Sequence, residues 1–164
     1  MKTLVLHPKD KTTEFLSKIY LDRNYTIIRE NISTKKLKEV IKNHDRIIML
    51  GHGTEKGLLG FGRFIIKASL VYLLRDKLSI CIWCNSDVFF KKYGLKGMCT
   101  GMIISELDEA YDYNVKCTLE DIEESNELLS KALSNSFINS EIKKVYNSNT
   151  NYVIQFNSEN IFGF

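Results

Sequence analysis

Apolar residues fall along this chain in short runs, and the spacing inside each run predicts its element. Residues 3–7 (TLVLH) predict a first strand, closed by Pro8 and Asp10. Residues 12–20 place Phe15, Leu16, Ile19 and Tyr20 at helical spacing, and residues 25–28 (YTII) predict a second strand. Ser33 is an N-cap for a helix that carries Leu37, Val40 and Ile41 on one face. The run at 46–50 (RIIML) has the unbroken apolar character of a strand buried on both faces. Five glycines at 51, 53, 57, 60 and 62 then predict a loop, and residues 64–75 (FIIKASLVYLLR) a mostly buried helix. A second buried strand is expected at 78–83 (LSICIW), a short helix at 87–93 ended by Gly94, and a fifth strand at 98–104. Thr118 with Asp121 forms a capping box for a helix that turns Ile122, Leu129 and Leu133 inward and a row of acids outward. Residues 152–156 (YVIQF) predict a last strand at a sheet edge.

Strands alternating with helices imply an α/β fold, a three-layer sandwich around a mostly parallel, doubly wound sheet near the flavodoxin-like strand order. At 164 residues, with no linker, repeat or low-complexity segment, a single domain over 1–164 is expected. Hydrophobic residues at 44% and charged residues at 26% are ordinary globular values. No apolar run reaches membrane-span length and the N-terminus lacks a signal peptide, so a cytoplasmic location and no membrane partner are expected. Charge is uneven: residues 1–100 hold 19 Lys and Arg against 9 Asp and Glu, and residues 101–164 hold 4 against 11. Without an arginine-rich run or basic–aromatic alternation, this reads as a bipolar solvated surface and not as a nucleic-acid interface.

The chemistry concentrates where two buried strands end. In sheets of this kind, function sits outside the carboxyl ends of the strands. RIIML runs into Gly51-His52-Gly53, and LSICIW runs into Cys84-Asn85-Ser86. A right-handed crossover between them would bring both carboxyl ends to one rim. His52 and Cys84, 32 positions apart, would then meet there. A thiol is mostly protonated at neutral pH, and a nearby imidazole can take its proton or protonate a leaving amine. Gly53 has no side chain to block its N–H, which with the N–H of Cys84 would form an oxyanion hole.

A strand ending in His-Gly, followed by one ending in Cys, resembles the caspase-like cysteine peptidases, the group of caspases, legumains, gingipains, clostripain and separases. The resemblance covers residues 1–105 and rests on LGHG and IWCNS. It implies a caspase-like fold and a thiol protease with His52 as general base or acid, Gly53 as oxyanion donor and Cys84 as nucleophile. It implies a peptide or protein substrate and no cofactor. Family members that cut after basic residues use an acid in the substrate pocket, which makes Ser105, Glu106 and Asp108 the substrate-binding candidates here. The sequence departs from the family in placing Trp83 where a small residue is usual, which bears on substrate access.

Other readings of the same residues remain. The same rim fits a catalytically inactive peptidase-like module that binds a partner, or a flavodoxin-like domain that binds a nucleotide or signalling ligand. Cys81 and Cys84 form a Cys-x-x-Cys, but residues three apart in a strand face opposite ways, so no metal site is expected. Cys99 and Cys117 read as inert, His44 as structural, and His7 as a packed residue that ends the first strand.

Overall fold

A computed structural model describes all 164 residues, Met1–Phe164. The β-rich runs near the N-terminus become β1 (Thr3–Leu6), β2 (Thr26–Ile28) and β3 (Arg46–Leu50), with helix α1 (Thr34–Lys42) before β3. Ser33 caps α1 by accepting from the Lys36 N–H. Residues 14–19 form a 3-10 helix, shorter than the helix predicted over 12–20. Next come three short strands, β4 (Gly53–Thr54), β5 (Gly57–Gly60) and β6 (Arg63–Lys67), then a 3-10 turn at Ala68–Leu73. β7 (Leu78–Ile82), α2 (Ser86–Tyr93) and β8 (Lys96–Thr100) complete the parallel part. The chain ends with α3 (Leu107–Asp112), α4 (Leu119–Asn135), α5 (Asn139–Val145), α6 (Tyr152–Glu159) and β9 (Ile161–Gly163).

The six-stranded main sheet runs β2-β1-β3-β7-β8-β9, parallel throughout except for β9, which pairs antiparallel with β8. With the small β4-β5-β6 sheet set aside, the parallel strands follow the 2-1-3-4-5 order of flavodoxin-like sheets, whose switch point lies between the first and third strands. Successive residues of each strand face opposite ways. Leu4, Leu6, Ile47, Met49, Cys81 and Trp83 join a core with residues of α1 and α2. Val5, Ile48, Leu50, Ile80 and Ile82 join a second core with α4, α5, α6 and the first 3-10 helix. Helices therefore cover both faces, compatible with a three-layer sandwich. In α4, Ile122, Leu129 and Leu133 are all buried, and both halves of the Thr118–Asp121 capping box form. No helix is long and apolar enough to cross a membrane.

Two predicted elements are corrected. The helix expected at 64–75 is a strand followed by a 3-10 turn. Phe61 and Gly62 both sit at positive φ, 55° and 72°, between the paired residues Gly60 and Arg63. Such a two-residue turn commits the flanking runs to a hairpin. The edge strand expected at 152–156 is the helix α6. Asn151 captures the N–H groups of Val153 and Ile154, and the buried Asn157 pairs with both polar groups of the Ile104 backbone, at 2.7 and 2.8 Å. Capping and a helix-facing polar anchor outweigh the strand preference of Tyr152, Val153 and Ile154. The edge strand comes later, as β9.

Candidate functional site

β3 and β7 are hydrogen-bonded neighbours in parallel register, Leu50 opposite Ile82. Both carboxyl ends thus open at one rim, next to the switch point. Beyond them, Gly51, His52 and Cys84 line a single narrow cavity of about 30 Å³, together with Ile103, Ser105 and Glu109. A more open cleft of about 260 Å³ adjoins it on the far side of His52, bordered by Lys9, Asp10 and Arg63.

The turn that carries Cys84 is tightly fixed. Asn85 takes the left-handed conformation, φ 62°, which Asn tolerates better than most residues. Its N–H donates to the Gly101 carbonyl at 3.1 Å, and Ser86 N–H donates to the Trp83 carbonyl at 3.2 Å. Ser86 Oγ lies 2.8 Å from the Cys81 and Thr100 carbonyls and accepts from the Thr100 N–H at 3.0 Å. Thr100 Oγ1 donates to the Trp83 carbonyl at 3.0 Å. The Cys84 N–H itself donates to no carbonyl or side chain. Cys84 Sγ–H points to the Ile103 carbonyl, 3.7 Å away. Burial pushes this thiol above its ordinary range, and the Glu109 carboxylate nearby acts in the same sense. The resting sulfur is therefore a neutral thiol.

Trp83 does not obstruct the thiol. Its indole is buried in the core on the other face of the sheet, edge-on to Phe89, and Nε1 donates to the Thr54 carbonyl at 3.0 Å. A Cβ on Gly53 would lie 2.2 Å from Trp83 Cδ1. The glycine is thus required by the indole that packs on it. Leu59 N–H donates to the His52 carbonyl at 2.8 Å, which makes His52 and Leu59 a hydrogen-bonded pair of the hairpin. Gly53, opposite Leu58, falls at the alternate position, where the N–H turns away from the partner strand.

His52 is held from behind by residues that the sequence did not point to. Its Nε2 lies 2.6 Å from Thr12 Oγ1, and Thr12 Oγ1 donates to Asp10 Oδ1 at 2.7 Å. Asp10 Oδ1 also accepts from the Thr12 N–H at 2.8 Å, and these two bonds hold its carboxyl below the usual carboxylate range. A hydroxyl has one proton, and an ionised carboxylate can only accept. Thr12 thus gives its proton to Asp10, and Nε2–H of His52 donates to Thr12. Nδ1 is left with a free lone pair and no hydrogen bond, the form a general base needs. The supporting loop is anchored in turn by His7, fully buried, whose Nδ1 lies 2.8 Å from Tyr20 Oη and Nε2 3.2 Å from Thr13 Oγ1.

The acids after β8 separate. Ser105 lines the cavity. Glu106 is the exposed N-cap of α3, and Asp108 borders a different cleft with Tyr111 and Lys116. The carboxylate at the cavity is Glu109, whose Oε2 accepts from Ser105 N, Ser105 Oγ and Glu106 N at 2.7, 3.1 and 3.1 Å. Nothing in the sequence ranks Glu109 above its neighbours, because the choice depends on how α3 is rotated. Asp10 with Thr12 does carry a local signal, the Asx turn, but its tie to a histidine 40 positions on comes only from the sheet order. No three His, Cys, Asp or Glu converge as a metal site, and all four cysteines are free. Comparison of the chain with protein-family models, curated proteins and solved structures found no match.

Proposed function

We propose that this chain is a caspase-like cysteine peptidase with His52 and Cys84 as its catalytic pair. The observation that supports this best is their convergence: they leave the carboxyl ends of adjacent parallel strands and line one cavity. A substrate carbonyl over Cys84 displaces the contact of Sγ–H with Ile103. Sγ attacks the carbonyl carbon while His52 Nδ1 takes the thiol proton, and Asp10, through Thr12, steadies the imidazolium that forms. The tetrahedral oxyanion accepts from the N–H groups of Cys84 and Gly53, each worth about 2.7–4 kcal/mol when preorganised. His52 then gives the proton to the departing amine as the C–N bond breaks. Water, activated by the same imidazole, hydrolyses the thioester and restores the thiol. For a preference after Arg or Lys, Glu109 with Ser105 is the better-placed acid pair, since Glu106 and Asp108 stand outside the cavity.

The raised thiol and a cavity of about 30 Å³ favour a second reading, a silent module whose rim binds a partner without cutting it. A peptide library digested with wild type and with Cys84→Ala separates the two. Cleavage that vanishes in the variant supports the peptidase. No turnover, together with Cys84 that iodoacetamide labels no faster than Cys117, rejects it.

A further inference from the structure

An open cleft lies at the opposite end of the sheet from His52 and Cys84, where β3, β7 and β8 begin. Its volume of about 620 Å³ falls in the range of small-molecule sites. Two guanidinium groups line it, those of Arg23 and Arg46, and no Asp or Glu does.

Arg46 is preorganised. Its Nε donates to Thr3 Oγ1 at 3.1 Å and one Nη donates to Tyr25 Oη at 3.0 Å. The cation lies 5.5 Å from the Tyr25 ring centre and 5.3 Å from that of Phe137. Nη1 has no hydrogen-bond partner, and no carboxylate pairs with the group. Arg23 donates to the Ser134 carbonyl at 2.8 Å and is likewise without a counter-charge. The nearby Glu141 accepts from Ser136 Oγ at 2.5 Å and pairs with neither arginine. Arg29, by contrast, has its carboxylate in Glu14. The hydroxyls and rings around Arg46 hold this half-buried cation in place, but no carboxylate of the chain neutralises it. A planar guanidinium in that state is suited to a phosphate or carboxylate from outside.

We propose that this cavity binds a phosphomonoester with an aromatic or apolar body, the size of a mononucleotide. Its phosphate lies against Arg46 and Arg23, whose two charges match a phosphomonoester near neutral pH, roughly −1.5 to −2. Its body lies on Leu78, Ile80 and Phe164. The site is independent of the peptidase reading, because it shares no residue with the rim.

Thermal melts with AMP, adenosine and inorganic phosphate as probes test it. AMP at a hundred times its dissociation constant should raise Tm by about 5–10 °C, phosphate less, and adenosine least. Arg46→Gln should weaken AMP about 10–100-fold, the loss of a charge-assisted bond. Because Arg46 also packs between two rings, the reading is the AMP-induced shift and not the basal Tm. Arg23→Gln, at an exposed position, gives a second variant, with a smaller loss in the same direction. A shift with adenosine equal to that with AMP would overturn the proposal. So would an AMP response unchanged in both variants, or no saturable response to AMP and phosphate.

Discussion

The two sides of the rim cavity are built from opposite materials. His52 is about two-fifths exposed and belongs to a polar chain that runs through Thr12 to the solvated Asp10. Cys84 is set among Ile82, Ile103 and Leu129, with its thiol pushed up by burial. Water can reorganise around the imidazolium on the first side, whereas a thiolate on the second has no cation within hydrogen-bonding contact. Under the proposed function, the base would be prepared before substrate arrives and the nucleophile would not. A peptidase built this way would start from a neutral thiol, with proton transfer accompanying attack instead of preceding it.

The strongest attempt to break this contrast removes each side in turn. Cys84→Ala should lower kcat on any cleaved peptide by about four orders of magnitude or more, and His52→Ala by about 10²–10⁴. Equal, small losses in steady-state kinetics would mean that neither side is catalytic. On the apolar side, Leu129 is fully buried and lines the cavity, so Leu129→Ala should cost about 2–5 kcal/mol in a urea melt. The same variant should speed alkylation of Cys84, because the space it opens admits water beside the sulfur. A stable variant with unchanged labelling would show that burial does not govern the thiol.

On the polar side, His7 offers a pH test. Burial lowers its pKa from 6.5 to about 4, with Arg29 acting in the same direction. The unfolded chain binds this proton first as pH falls. The stabilisation is therefore complete above about pH 6.5 and is lost progressively towards pH 4, a change of about 3 kcal/mol. Urea midpoints measured across that window should fall steeply for the wild type and much less for His7→Gln. Identical slopes would assign the acid sensitivity elsewhere. The smallest effect expected is at Asp10. With the carboxylate solvated, Asp10→Asn should lower kcat/KM about tenfold or less, because Thr12 loses the acceptor that orients it towards His52. A loss as large as that of His52→Ala, or none at all, would contradict the role given to Asp10.

The parallel strands and the positions of His52 and Cys84 on their ends were legible because an unbroken apolar run between turn residues has few alternatives in a chain of this length. RIIML and LSICIW are of that kind. The misread segments were ambiguous for a physical reason. FIIKASLVYLLR is apolar at both strand and helix spacing, and the deciding residues, Phe61 and Gly62, lie outside it. YVIQF looks like a strand, and the asparagines that turn it into a helix act through Asn151 at the cap and Asn157 on Ile104, a contact 53 positions away. The Asp10–Thr12–His52 chain has the same character. Each residue is ordinary where it stands, and only the strand order makes them neighbours.

Trp83 has a consequence for how the two reactive groups keep their alignment. Its backbone belongs to the segment that delivers Cys84, and its ring clamps Gly53 and the Thr54 carbonyl, immediately after His52. One indole, on the side of the sheet away from the thiol, thereby works as an alignment pin between two loops, beyond the last backbone bond from Gly51 N–H to the Ile82 carbonyl. Any side chain at position 53 would have to push that pin out of its seat. A smaller ring at position 83 would leave the seat loose, so that the two loops could drift apart although His52 and Cys84 were both still present.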